Sequence, residues 1–186
     1  MLANKTVKII YAGLFTALTA AGAFIKIPLP PVPVTLQTFF TILAGAILPP
    51  RYAFTCQAAY LLLGLAGLPV FALGGGLAYV LQPSFGYLLS LPLAAWLAAV
   101  LNRQFNLKKS LHFFLWINVL TAIVILVIGT FWLFISLECF SGAAISLQKV
   151  VFSGLLLFVP GELLKSVIAS YIAVQYFKRI EKPGIL

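Results

Sequence analysis

Glu162 and Lys165, in the run Pro160-Gly-Glu-Leu-Leu-Lys-Ser166, are an acid and a base set three residues apart inside a long apolar stretch. On a helix that spacing turns both side chains to one face. Charges held among apolar helices cost a few kcal/mol or more, and they face a bundle interior or a water-filled cavity. A pair that only neutralised itself would be a needless cost where leucine would serve, so the spacing points to a ligand site. Lys165 supplies a cation for an anionic ligand group, and Glu162 is an acceptor for ring N–H donors. Gln37 and Thr38 stand just after a proline cluster, and a glutamine in an apolar helix is expected to bond to something buried, protein or ligand. Thr35 is placed either to cap that helix or to join the same site. Tyr79, Gln82 and Tyr87 flank a glycine-rich loop, where tyrosines either line a membrane interface or face a ligand. Within the loop, Gly74-Gly75-Gly76 lets backbone come close to a ligand or to another chain segment.

Other chemistries lack their parts. The glycine triplet is not followed by the pattern of a phosphate-binding loop. His112 is the only histidine, and Cys56 and Cys139 fall at different depths with no metal-ligand spacing, so neither a metal site nor a disulfide is expected. No nucleophile, base and orienting group occur together, so the chain reads as a non-enzyme without a cofactor.

These residues need apolar helices to hold them, and the composition supplies little else. Of 186 residues, 63% are hydrophobic and 8% charged, with a formal net charge of +9. Soluble domains carry roughly 25% charged residues, and disordered chains are poor in apolar ones. The cations are scattered singly rather than gathered into a patch, which argues against nucleic acid as a partner. The apolar runs are continuous and far longer than the alternating strands of an outer-membrane barrel, so the barrel is excluded. The expected class is all-α, a polytopic protein of the lipid bilayer forming a single integral membrane domain over 1–186. At roughly 30 residues per span and its connection, about six transmembrane helices fit. They are placed at about 9–25, 35–48, 52–65, 85–101, 111–135 and 147–177. The last is expected to break at Pro160-Gly161. The first follows a short basic start, as a signal peptide would, but it is long for a signal core and is expected to be retained.

Between the first two spans, residues 26–34 hold four prolines and form a stiff extended segment. The loop at 68–84 is glycine-rich and uncharged. Both are positioned to cover a bundle mouth. By the positive-inside rule, six spans put Lys5, Lys8, Arg51, Arg103, Lys108, Lys109, Lys178, Arg179 and Lys182 on one side, against Lys26 and Lys149 on the other. Both termini are therefore expected in the cytoplasm, and Lys165 is the one cation left within a span. Gly13, Ala17 and Ala21 recur every fourth residue in the first span, a smooth face for packing within the bundle or for docking a partner.

The ordered set Val32-Pro-Val-Thr-Leu-Gln-Thr38, Leu43-Ala-Gly-Ala-Ile-Leu-Pro-Pro-Arg51, Tyr60-Leu-Leu-Leu-Gly-Leu-Ala-Gly-Leu-Pro-Val-Phe71, Gly86-Tyr-Leu88 and Pro160-Gly-Glu-Leu-Leu-Lys165 resembles the BioY family, the biotin-binding S components of energy-coupling factor (ECF) transporters. The resemblance runs from about Tyr11 to Ala173 and is weakest from 105 to 150. It implies a six-helix subunit of the bacterial cytoplasmic membrane with the S-component fold, capturing biotin from outside for high-affinity uptake. It also implies a transmembrane scaffold subunit and two ATPase subunits as partners, with Ala17 and Ala21 matching the small residues that meet the scaffold. Glu162, Lys165 and Gln37 become polar anchors for biotin, with Thr35 beside them. Tyr87 and the backbone at Gly74 and Gly75 cover the ligand. Which anchor meets which end of biotin is left open. Lys165 matches the family's motif directly, whereas Glu162 stands where aspartate is usual, moving the carboxylate by about one carbon–carbon bond, roughly 1.5 Å. Two other readings are a stand-alone carrier for biotin or another small carboxylate vitamin, and a non-transporting membrane scaffold.

Overall fold

The structure, a computed structural model, describes residues 4–104, 110–140 and 146–180. Lys108, Lys109 and Lys182 of the charge count lie outside the described residues. Helix α1 (Lys5–Phe24) begins at Asn4, whose side-chain oxygen accepts the Thr6 amide at 2.9 Å. It is followed by α2 (Gln37–Ile47), α3 (Pro50–Leu65), α4 (Phe85–Gln104) and α5 (Leu111–Phe140). The sixth helix is broken: α6 (Leu147–Val151), a π-turn over Phe152–Leu156, then α7 (Val159–Ile180).

Of these six helices, four are long and apolar enough to cross a membrane: α1, α4, α5 and the α6–α7 unit. Helices α2 and α3 are shorter than these. With 11 residues at 1.5 Å per residue, α2 is about 16 Å long, half a hydrocarbon core. Its missing length is taken up by the proline-rich segment, which cannot be helical. Lys26–Ile27 (β1) and Val34–Thr35 (β2) close that segment as a small antiparallel ribbon, with Lys26 opposite Thr35 and Ile27 opposite Val34. Thr35 does not cap α2, since Leu36 occupies that position without a side-chain bond.

The break in the sixth helix lies before Pro160, where the sequence pointed to Pro160-Gly161 itself. Proline is tolerated in a first helical turn, where its missing N–H is not needed, and here it sits near the start of α7. The cost falls one turn earlier. Pro160 cannot donate to Leu156, and its ring crowds that carbonyl. The preceding turn widens accordingly, the Leu157 amide reaching Phe152 at 3.0 Å.

Large apolar side chains point outward along the helices, among them Leu14, Trp116, Phe131 and Leu164, as lipid-facing surfaces require. Inside, the core has two characters. Alanines dominate one half, where Ala44, Ala53, Ala95, Ala99, Ala122 and Ala169 pack around Ile42 and Phe15. Aromatics dominate the other, where Tyr60, Phe71, Tyr79, Phe85, Tyr87 and Phe158 gather beneath the two loops. Small residues draw α4 and α5 together: any Cβ on Gly86 would strike Trp132, and any on Gly129 would strike the Tyr87 ring.

Candidate functional site

At the aromatic end of the bundle, α2, α4, α5, α7 and the two loops line a narrow cavity of about 40 Å³. A small organic ligand therefore enters only if loops or side chains give way. The walls are mainly apolar (Val32, Leu88, Leu91, Ile125, Phe158), and Thr35, Gln37, Thr38 and Glu162 form a polar corner.

The corner is built by α2 meeting α7. Glu162 is 3% exposed and Lys165 8%. The ammonium of Lys165 donates to Glu162 Oε1 at 2.5 Å, to Thr38 Oγ1 at 2.7 Å and to the Thr35 carbonyl at 2.9 Å. An ammonium has three protons, and these three acceptors use them all. Thr38 in turn donates to Glu162 Oε1 at 2.9 Å. Only one carboxylate oxygen is engaged. Glu162 Oε2 is buried and has no hydrogen-bond partner in the protein, although Glu162 itself lines the cavity. A buried, unmatched carboxylate oxygen is costly, and it retains the capacity to accept a donor.

Gln37, at the first position of α2, is held by its neighbours. Its Oε1 accepts Thr35 Oγ1 at 2.7 Å, and its amide nitrogen donates to the Tyr60 hydroxyl, which passes its own proton to the Val70 carbonyl at 3.0 Å. The second proton of that amide is the one left for a ligand. Beneath it Thr41 lies 3.1 Å from the Gln37 carbonyl and 3.2 Å from Gln57 Oε1, and Gln57 Nε2 donates to Thr19 at 3.1 Å. This chain of buried polar groups ties the corner to α3 and α1.

Tyr87 lines the cavity with its ring. Its hydroxyl donates to the Gly154 carbonyl at 2.6 Å, and its ring stacks on Phe158 at 5.7 Å between centroids. Tyr79 also lines the space, its hydroxyl accepting Ser84 Oγ at 3.2 Å. Burial pushes the Tyr79 phenol up from its ordinary pKa, the Ser84 bond opposing in part, so it acts as a neutral group.

Gly74 and Gly75 serve the loop and do not themselves line the cavity. Phe71 and Gly74 exchange backbone bonds of 2.9 and 3.2 Å, and Gly74 has a φ of +118°, a region glycine enters at little cost. A side chain on Gly75 would collide with the Leu68 carbonyl. That tight turn buries Phe71 against Tyr60 and Tyr79 and delivers Ala72 to the cavity wall.

Gly13, Ala17 and Ala21 are remote from this corner. All three are exposed on α1, and nothing lies within 4 Å of a Cβ placed on Gly13. They therefore do not pack inside this bundle.

Tyr60, Ser84, Leu91 and Phe158 belong to the site or its support, and their sequence context did not single them out. A tyrosine in the middle of a span rather than at its end was the signal available for Tyr60. Among the described residues no three His, Cys, Asp or Glu side chains gather as a metal site would need.

Known proteins resemble this chain in sequence and in fold. A profile of the BioY family matches residues 1–182. The biotin transporter BioY of Thermotoga maritima is 37% identical over 175 residues, covering 94% of this chain and 97% of that protein. A probable biotin transporter BioY of Lysinibacillus sphaericus is 36% identical over 175 residues, covering 94% and 89%. A 2.1 Å crystal structure of the S-component for biotin from an ECF-type ABC transporter superposes with a TM-score of 0.82 at 28% identity, covering 96% of this chain and 95% of that one. The shared fold and the match along nearly the whole sequence agree, and the chain belongs to the BioY family.

Proposed function

We propose that this chain takes up biotin as the substrate-specific membrane subunit of an ECF-type transporter, binding rather than transforming its ligand. The observation that carries the reading is Glu162 Oε2, a buried acceptor without a partner in the wall of a mainly apolar cavity. Biotin combines an apolar bicycle and tail with a ureido head bearing two N–H donors and a carbonyl. Its head suits the polar corner: Glu162 Oε2 accepts an N–H, and the remaining amide proton of Gln37 meets the carbonyl. Lys165 acts through Glu162, aiming the carboxylate while Thr35 and Thr38 fix the ammonium. Tyr87, Phe158 and Leu91 pack the bicycle and tail, as apolar walls with few convergent polar groups do for small ligands. The segments 26–34 and 68–84, the latter turning on Gly74 and Gly75, form the lid that must open.

We place both termini in the cytoplasm of a bacterium, with the whole chain as one membrane domain crossing six times. The nine-to-two distribution of cations supports this orientation. In the structure Lys5 and Lys8 start α1, Arg51 starts α3, Arg103 ends α4, and Lys178 and Arg179 end α7. The exposed face at Gly13, Ala17 and Ala21 is the docking surface for a scaffold subunit, to which two ATPase subunits bring the energy. Release occurs when docking deforms the bundle and raises the free energy of the bound state relative to the open one.

The test is uptake of labelled biotin by biotin-requiring bacteria that express this chain with and without a scaffold and ATPase module. Saturable uptake that excess unlabelled biotin abolishes is expected with the module present. Uptake indistinguishable from cells lacking the chain, under both conditions, refutes the function. Equal uptake without the module refutes the dependence on partners alone.

A further inference from the structure

With Lys165 fully committed to Thr35, Thr38 and Glu162, a carboxylated ligand needs another cation. Most of the described cations are at the wrong place. Lys5, Lys8, Arg51, Arg103, Lys178 and Arg179 stand at helix termini on the side opposite the loops. Lys149 opens onto a separate groove, beside Phe152 and Pro30. Lys26 differs from all of these. Its backbone lies directly opposite Thr35 in the two-stranded ribbon, and cross-strand partners put their side chains on one face, roughly 5 Å apart at Cβ. Its ammonium donates to the Ala72 carbonyl. Thr35 and Ala72 both line the cavity, Thr35 from β2 and Ala72 from the 68–84 segment. Lys26 itself is exposed, so its charge stands where the cavity wall meets solvent.

We propose that Lys26 is the specificity residue for the ligand's carboxylate. The inference rests on the biotin reading above and deepens it, since the head in the Glu162 corner sends the acid tail toward the lid. An ammonium facing a lone carbonyl has two protons to spare, and a charge-assisted bond to a carboxylate is about twice as strong as a bond between neutral groups. Lys26 takes the carboxylate with a free proton while keeping Ala72, so ligand and both lid segments are joined through one side chain. Uncharged relatives of the ligand forgo that bond and also hold the lid less firmly.

The experiment measures equilibrium binding of biotin and of biotin methyl ester to purified wild-type chain, Lys26→Gln and Lys26→Arg. The ester keeps the bicycle and tail but not the charge, and its binding shows that a variant is folded. Wild type is expected to prefer biotin. Lys26→Gln should lose about tenfold or more on biotin with little change on the ester, and Lys26→Arg should keep the preference. Equal losses on both ligands, or no loss on either, overturn the assignment while leaving the biotin reading intact. A wild-type chain that binds neither ligand overturns both.

Discussion

At the residue scale, the pair Glu162 and Lys165 was legible because both are charged residues in an apolar run, at a spacing that only a shared helix face explains. Their division of labour was not. The sequence allowed Lys165 to meet an anion directly, whereas the three acceptors around its ammonium support the proposal that it acts through Glu162. One oxygen of Glu162 serves Lys165 and Thr38, and the other is buried without a partner in the protein. If Lys165 works through Glu162, the two side chains are energetically one unit. Lys165→Ala strands a buried carboxylate and should weaken biotin binding by at least about tenfold, and Glu162→Gln should do likewise. The double variant should bind no worse than the poorer single one, because coupled neighbours are not additive. Binding isotherms of the three purified variants check this, and additive losses would mean that Lys165 contacts the ligand independently.

At the scale of elements, the positions of five helices and the two lid segments came from apolar run length and proline. Two features did not. The shortness of α2 goes with the proline-rich segment before it, whose Val32 is buried in the core, a tertiary matter that hydropathy does not register. The break in the last helix was displaced because proline disturbs the carbonyl one turn before it, not its own position. That displacement sets the direction of Glu162, which lies just inside α7 after a π-turn that inserts one extra residue. Pro160→Ala restores the missing donor to Leu156 and removes the clash, so the π-turn should revert to α-helix. Removing one residue from the turn rotates α7 by about 100° relative to α6. The expected outcome is a chain at least as heat-stable as wild type whose biotin affinity is clearly reduced. Unaltered affinity would show that the turn is incidental to the site.

At the scale of the whole molecule, the charge excess supports the proposed orientation, and the long apolar runs of the sequence already called for a lipid-facing surface. The face of α1 was ambiguous in sequence, since small residues every fourth position suit internal packing equally well. Its exposure here removes that choice and separates two surfaces: a cavity under the loops, and a smooth stripe on the outside of α1. Ala17→Leu combined with Ala21→Leu should therefore leave biotin binding to the purified chain unchanged. In cells carrying the scaffold and ATPase module, the same pair should cut uptake severely. Loss of binding in the isolated chain would mean instead that the stripe supports the bundle.

The central claim is that biotin binds in the cavity cornered by Glu162. Titrating labelled biotin into the purified wild-type chain and into Glu162→Leu, with unlabelled biotin as competitor, tests it most directly. The account predicts saturable one-to-one binding by wild type, displaced by unlabelled biotin, and loss of most of that affinity in Glu162→Leu, with retained helicity as the check that the variant is folded. Absence of saturable binding by the wild-type chain, or equal affinity in the two proteins, would contradict it.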